Sequence, residues 1–254
     1  MTQRSPSTPQ KRQKKRLLLP ASARFTLYTD RAVPDRMFVE LFLLLAFCHL
    51  VAAALAQGWW TAVLTDAIFL GYLGSSIAVG VTIGRRRWWS LVERLLLLGL
   101  VAGIVELATD AAGELVARSL VYPAGEPMLW LSPAYMPISW MVVLTLLGYL
   151  GWRLAGWLPL WLAMALCGLA GALIVPFYEE CAWHAGWWHY TTQPQIGHTP
   201  IYVLLFEGAV AALLPLLVRK IERQSLPWVA ARGLLLGAWM PLAAFIAWRL
   251  LGQG

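Results

Sequence analysis

Six of the thirteen acidic residues, Asp66, Glu106, Asp110, Glu179, Glu180 and Glu207, interrupt sequence that is otherwise apolar. Three of the four histidines, His184, His189 and His198, crowd into the stretch Pro176–Glu207, PFYEECAWHAGWWHYTTQPQIGHTPIYVLLFE. Carboxyl groups held close together near an apolar phase cannot all ionise cheaply, so some are expected to keep their protons at neutral pH. A protonated carboxylic acid in a dry, aromatic-lined pocket is a Brønsted acid. The aromatic side chains Trp140, Trp183, Trp187, Trp188, Tyr190 and Tyr202 supply such a lining, and aromatic faces attract cations. Together these groups are suited to protonating an alkene and stabilising the carbocation that results, with no cofactor.

The elements that must position these groups are membrane helices. Fifty-nine per cent of the residues are hydrophobic and only 13 % charged, against about 25 % charged in an ordinary soluble domain. Seven apolar runs, at 37–56, 60–83, 89–109, 134–152, 158–178, 200–218 and 228–250, have the roughly 18 to 25 residues needed to cross a bilayer. The expected fold is all-α: a polytopic integral membrane protein of seven transmembrane helices over 37–254. A basic disordered tail and interfacial approach over 1–36 would precede it.

The basic residues follow sidedness rather than a nucleic-acid surface. Arg4, Lys11, Arg12, Lys14, Lys15 and Arg16 precede the first run, Arg85 to Arg87 follow the second, Arg153 the fourth, and Arg219, Lys220 and Arg223 the sixth. With the N-terminus cytoplasmic and the C-terminus outside, all of them lie on the cytoplasmic face of a plasma membrane. Cys48, Cys167 and Cys181 have no metal-type or disulfide-type spacing.

Ser132-Pro133-Ala134-Tyr135 and Thr199-Pro200-Ile201-Tyr202 share the form of a helix start, N-cap then proline. Each follows a helix that ends in acids and an aromatic loop. The sequence therefore predicts a weak parallel repeat of helix pairs, over about 89–155 and 158–223. Glu207 sits two turns into its helix, about 10 Å deep, where the first unit has Trp140. One site between the units is expected, with Asp66, Glu106, Asp110, Glu180 and Glu207 as acid–base groups. The aromatic side chains and His184 are its substrate-binding lining. Gly71, Gly74, Ser75 and Ser76 read as a helix-packing face, and His49 as a hydrogen-bonded core residue.

The step P-x-x-E-E (Pro176, Glu179, Glu180), the loop G-W-W-H-Y (Gly186 to Tyr190) and the P-x-Y helix starts resemble the membrane carotenoid-biosynthesis group. That group comprises the carotenoid hydratases and integral-membrane lycopene cyclases, and the seven-span membrane terpene cyclases are similar in logic. The resemblance covers roughly residues 100–215. It departs from the usual Pro-x-Glu-Glu in having both Phe177 and Tyr178 between Pro176 and Glu179. It implies a cofactor-independent enzyme without metal that cyclises, hydrates or isomerises an apolar isoprenoid-like lipid, an isomerase or lyase in which Glu180 and Asp110 act as acid or base. Two other classes fit parts of the pattern. One is a transporter or lipid-binding protein, from the intramembrane acids and the repeat. The other is a zinc-dependent hydrolase, from Glu180 and His184 at i,i+4 with His189 and His198 following. The sequence lacks HExxH and any H-x-x-x-H pair.

Overall fold

In a computed structural model, the backbone is described at residues 21–82, 89–192 and 194–252, and the side chains at 35–79, 89–192 and 194–252. The basic residues of 1–20 and Arg85 to Arg87 lie outside the described residues. The chain divides into Met1–Arg36 and Met37–Gly254; apart from the start of the first helix, all that follows concerns the second part.

Seven long α-helices run in order: α1 Ala21–Leu55, α2 Trp60–Thr82, α3 Trp89–Ala112, α4 Met136–Trp157, α5 Leu160–Ala185, α6 Ile201–Val218 and α7 Leu226–Leu251. Six of them are long and apolar enough to cross a membrane. The other, α3, matches the rest in length and carries Glu93, Arg94, Glu106 and Asp110. The architecture is thus all-α and of membrane type.

Close packing follows glycines. A Cβ on Gly99 or Gly103 of α3 would lie 2.9 Å from the Met141 carbonyl oxygen or 2.6 Å from that of Pro137 on α4. Gly168 and Gly171 bring α5 equally close to Gly208 and Ala211 of α6, and Gly233 and Gly237 seat α7 on Leu98, Val101 and Val105 of α3. Without a hydrophobic force between helices in lipid, such backbone approach supplies the dispersion contacts that hold a bundle. The expected packing face on α2 is corrected: a Cβ on Gly71 or Gly74 would meet nothing within 4 Å. Gly103→Ala is therefore expected to destabilise the bundle by about 1–3 kcal/mol, since backbone rather than a mobile side chain must yield. Gly74→Ala should be neutral or stabilising; thermal unfolding in detergent compares the two.

Three helix boundaries differ from the sequence expectation. Helix α5 does not stop near Tyr178. It passes through Pro176 and ends at Ala185, where Gly186 takes the left-handed conformation (φ 72°) and its N–H bonds back to Ala182 and Trp183. One missing backbone donor at Pro176 is tolerated in a packed membrane helix. The expected N-caps also fail: Ser132-Pro133 and Thr199-Pro200 are short strands, and neither α4 nor α6 has a side-chain cap.

These strands belong to three two-residue pairings at one end of the bundle. Strand β1 (Leu120–Val121) pairs antiparallel with β4 (His189–Tyr190), β2 (Met128–Leu129) with β3 (Ser132–Pro133), and β5 (Gln195–Ile196) with β6 (Thr199–Pro200). The β2–β3 and β5–β6 hairpins have matching registers, Met128 opposite Pro133 and Gln195 opposite Pro200. Their turns open on a left-handed residue, Trp130 (φ 62°) and Gly197 (φ 60°). Each is closed by a bond from the residue after the strand proline to an earlier proline, Ala134 N–H to Pro127 and Ile201 N–H to Pro194. Ser132 and Thr199 are not caps because each lies in a short strand that precedes the helix.

Candidate functional site

A cavity of about 190 Å³ lies among the helices below the strand pairs. Its lining includes five carboxyl groups: Asp66 of α2, Glu106 and Asp110 of α3, Glu179 of α5 and Glu207 of α6. No lysine or arginine is among the described lining residues; the one basic side chain is His49. The rest is mainly apolar or aromatic, with Tyr122, Trp140, Tyr178, Trp187, Trp188, Tyr190, Tyr202, Phe206 and Trp248 contributing rings.

Helix geometry accounts for the convergence. Glu106 and Asp110 are four residues apart, so they share one face of α3, and their side chains interact directly. Glu207 lies within electrostatic reach of Glu179, Asp110 and Glu106, and Glu179 within reach of Asp110. Three of the acids accept a hydrogen bond from another element. The Tyr122 hydroxyl donates to Asp110 Oδ2 (2.6 Å), Trp188 Nε1 to Glu179 Oε2 (2.7 Å) and Ser139 Oγ to Asp66 Oδ2 (2.6 Å). Glu106 is 1 % exposed, and its Oε2, like the nearby Thr109 Oγ1, has no hydrogen-bond partner among the described residues. A buried polar atom left unpaired costs about 1–3 kcal/mol.

The phenols of the loop strands are fixed as donors. Burial, with Asp110 and Glu106 alongside, pushes the Tyr122 hydroxyl well above its usual value of 10. Burial next to Glu179 does the same to Tyr190. Both therefore stay protonated beside the acids. Below the rings, His49 Nδ1 bonds to the Leu45 carbonyl (2.8 Å) while the imidazole meets Tyr178 and Trp187 edge-on. His49 is thus a bonded core residue, as its sequence setting indicates, and also part of the wall.

The structure brings Asp66, Glu106, Asp110, Glu207, Trp140, Trp187, Trp188, Tyr190 and Tyr202 into one lining. It does not bring Glu180, Trp183 or His184 there. Successive helical residues differ by about 100° in direction, so with Glu179 turned inward Glu180 faces out. Its carboxylate receives the His198 backbone N–H and pairs with His198 Nδ1, both at 2.8 Å, with His184 Nε2 at 4.0 Å. Trp183 stacks on His198 at 3.8 Å. Glu180 therefore pins the β5–β6 turn instead of facing the cavity. Among the described residues no three His, Cys, Asp or Glu side chains are disposed to hold a metal ion.

Glu179 and Tyr122 are among the cavity residues that the sequence reading did not assign to the site. Glu179 is one of an adjacent pair with no signal to choose between them. Tyr122, which reads as an interfacial aromatic, reaches Asp110 because β1 folds back over α3.

Nearby, Glu126 in the loop before β2 is 8 % exposed and accepts a long hydrogen bond from Tyr135 (3.4 Å). Burial pushes its carboxyl up to about 7. A raised folded-state value means that the native loop holds the proton more tightly than the unfolded chain. The stability it contributes is complete below about pH 4.5 and lost as pH rises through about 7. Hydrogen exchange over the 122–135 loop should accelerate across that window, and Glu126→Gln should remove the dependence.

No curated protein and no solved structure matches the chain. Residues 107–251 match a family described as a domain of unknown function (DUF6989). The match runs from Leu107, near the end of α3, to Leu251 at the end of α7, and so takes in Asp110, Glu179 and Glu207. It covers more than half of the sequence, and the chain belongs to the DUF6989 family.

Proposed function

We propose that this protein is a membrane enzyme that protonates an apolar isoprenoid-like lipid and so initiates its cyclisation, hydration or isomerisation without a cofactor. The observation that carries this reading is the lining: five carboxyl groups and a wall of aromatic rings, with no lysine or arginine among the described lining residues. Carboxyl groups held by tyrosine and tryptophan donors can deliver and recover a proton. Aromatic faces and carboxylates both stabilise a developing cation. Asp110, with Glu106 one turn away, is the proposed proton donor pair; Glu179 and Glu207 face it as the recovering base. The resemblance to membrane carotenoid and terpene enzymes points the same way.

In this reading α3 is a seventh span, and its acids Glu106 and Asp110 are buried in protein. The N-terminus is cytoplasmic and the hairpin end outside. The matched β2–β3 and β5–β6 hairpins, each entering a helix through Ser/Thr-Pro-x-Tyr, support a parallel repeat of α3–α4 and α5–α6 about an axis along the membrane normal. A cysteine placed at Gln195 should react with an impermeant thiol reagent from outside, and one at Arg86 should not; the reverse pattern would overturn the orientation.

The direct test is solvent deuterium. Vesicles holding the protein, given linear isoprenoids in heavy water, should yield a product carrying deuterium from solvent. Activity should survive a chelator, and His184→Ala should retain it. No incorporation from any isoprenoid would defeat the reading. An acid-only lining also suits passage of a cation; cation uptake by the vesicles without deuterium incorporation would favour that transporter.

A further inference from the structure

Among the cavity-lining residues only two are strongly exposed, Val116 at 61 % and Phe245 at 54 %. Both line the cavity and are open to the outside. Val116 belongs to a π-helical turn, Gly113–Ala117, that continues α3, and Phe245 to the last part of α7. The two helices are locked together earlier, at Gly233 and Gly237. Beyond that contact α7 contains Pro241, whose ring cannot donate the next helical bond. On the other side, α3 changes to π-helical winding, a departure that recurs at functional sites. Both walls thus depart from regular α-helical hydrogen bonding. The lining there, Val116, Ala117, Pro241, Ala244, Phe245 and Trp248, is wholly apolar apart from the Trp248 indole N–H. The carboxyl groups line the other walls, on α2, α5, α6 and the part of α3 before the π-turn.

From this exposure and polarity we infer that the cavity opens between the π-turn and α7 as a lateral portal to the bilayer, a gap that admits a lipid tail first or last and leaves its polar or reactive end at the acids. The occupant is a lipid whose reactive end is neutral or cationic. An anionic head would find no lysine or arginine among the described lining residues and would compete with five carboxyl groups for the same donors. This rests on the proposed enzyme reading only for what happens after the lipid arrives; the portal itself is testable without turnover.

The test uses the full chain in phosphatidylcholine vesicles and a small apolar diazirine that partitions into the bilayer. After photolysis, peptide mass spectrometry should find label on the segments bearing Glu106, Asp110 and Glu207. Ala244→Trp and Val116→Trp, which narrow the gap, should lose that cavity label while outward-facing Leu173 and Leu250, each 68 % exposed, remain labelled and so report an inserted fold. Phe245→Ala removes bulk and should raise cavity labelling, which keeps the test sound if the tryptophan variants fail to fold. Dodecanol and dodecylamine should compete with the label, and dodecyl phosphate should not. Cavity label that is absent in the wild-type chain, or that persists unchanged in the narrowed variants, overturns the portal; competition by dodecyl phosphate overturns the head-group assignment. Asp110→Asn should keep the wild-type labelling, so failure of the catalytic proposal and failure of the portal are separable.

Discussion

Asp110→Asn should insert and fold normally yet lose about 10²–10⁴-fold in turnover, the usual worth of a positioned acid or base. Asparagine keeps the size of the side chain and can still accept the Tyr122 hydroxyl bond of 2.6 Å, so packing gives no reason for a loss. What disappears is a proton that can leave and return. Asp110 also interacts with Glu106, Glu179 and Glu207, so its neutralisation changes how protons are shared across the whole cluster. Single-turnover deuterium incorporation measures the step directly. Full incorporation by the variant at the wild-type rate would remove Asp110 from the chemistry. Tyr122→Phe leaves the acid in place and removes only its donor, so a smaller loss is expected.

The second large effect separates two neighbours. Glu179→Gln should cost activity on the scale of Asp110→Asn, whereas Glu180→Gln should leave turnover near wild type. Glu179 is inside the cavity, tied to Trp188 at 2.7 Å. Glu180 is outside, holding the turn at His198. Glu180→Gln weakens a charge-assisted anchor, and its signature should be faster hydrogen exchange in β5 and β6. The opposite ranking in activity would mean that chemistry takes place on the outward face.

Much of the architecture was legible because a bilayer enforces length and polarity. All seven helices overlap the apolar runs, and the meeting of Asp110 with Glu207 follows from their similar depth together with the cost of leaving an acid in lipid. The register around each helix was less legible. Glu179 and Glu180 are adjacent in a helix end that the sequence reads as loop, and without the helix there is no phase with which to tell inward from outward. The Ser-Pro and Thr-Pro pairs carry the composition of N-caps, but here the hydrogen bonding is backbone to backbone, set by the left-handed Trp130 and Gly197. A tryptophan in that conformation is rare enough that composition argues against the turn. The glycines show the same limit: Gly74 and Gly103 look alike in sequence, and only the neighbour decides which one a helix leans on.

The short pairing of Leu120–Val121 with His189–Tyr190 has a mechanical consequence. Helices α4 and α5 are already joined by a tight covalent connection at Leu158–Pro159 at the opposite end of the bundle. The strand pair, extended by the Thr191 N–H bond to the Ser119 carbonyl (2.8 Å), fastens the far ends of α3 and α5 to each other. The chain from β1 through α4 and α5 to β4 is thereby closed into a ring beside the acids. Such a frame resists opening like a clamshell, because parting α3 from α5 would break several backbone bonds at once. Amide protons along this clasp should be among the slowest to exchange in the molecule, and any breathing of the bundle is left to the helices outside the ring.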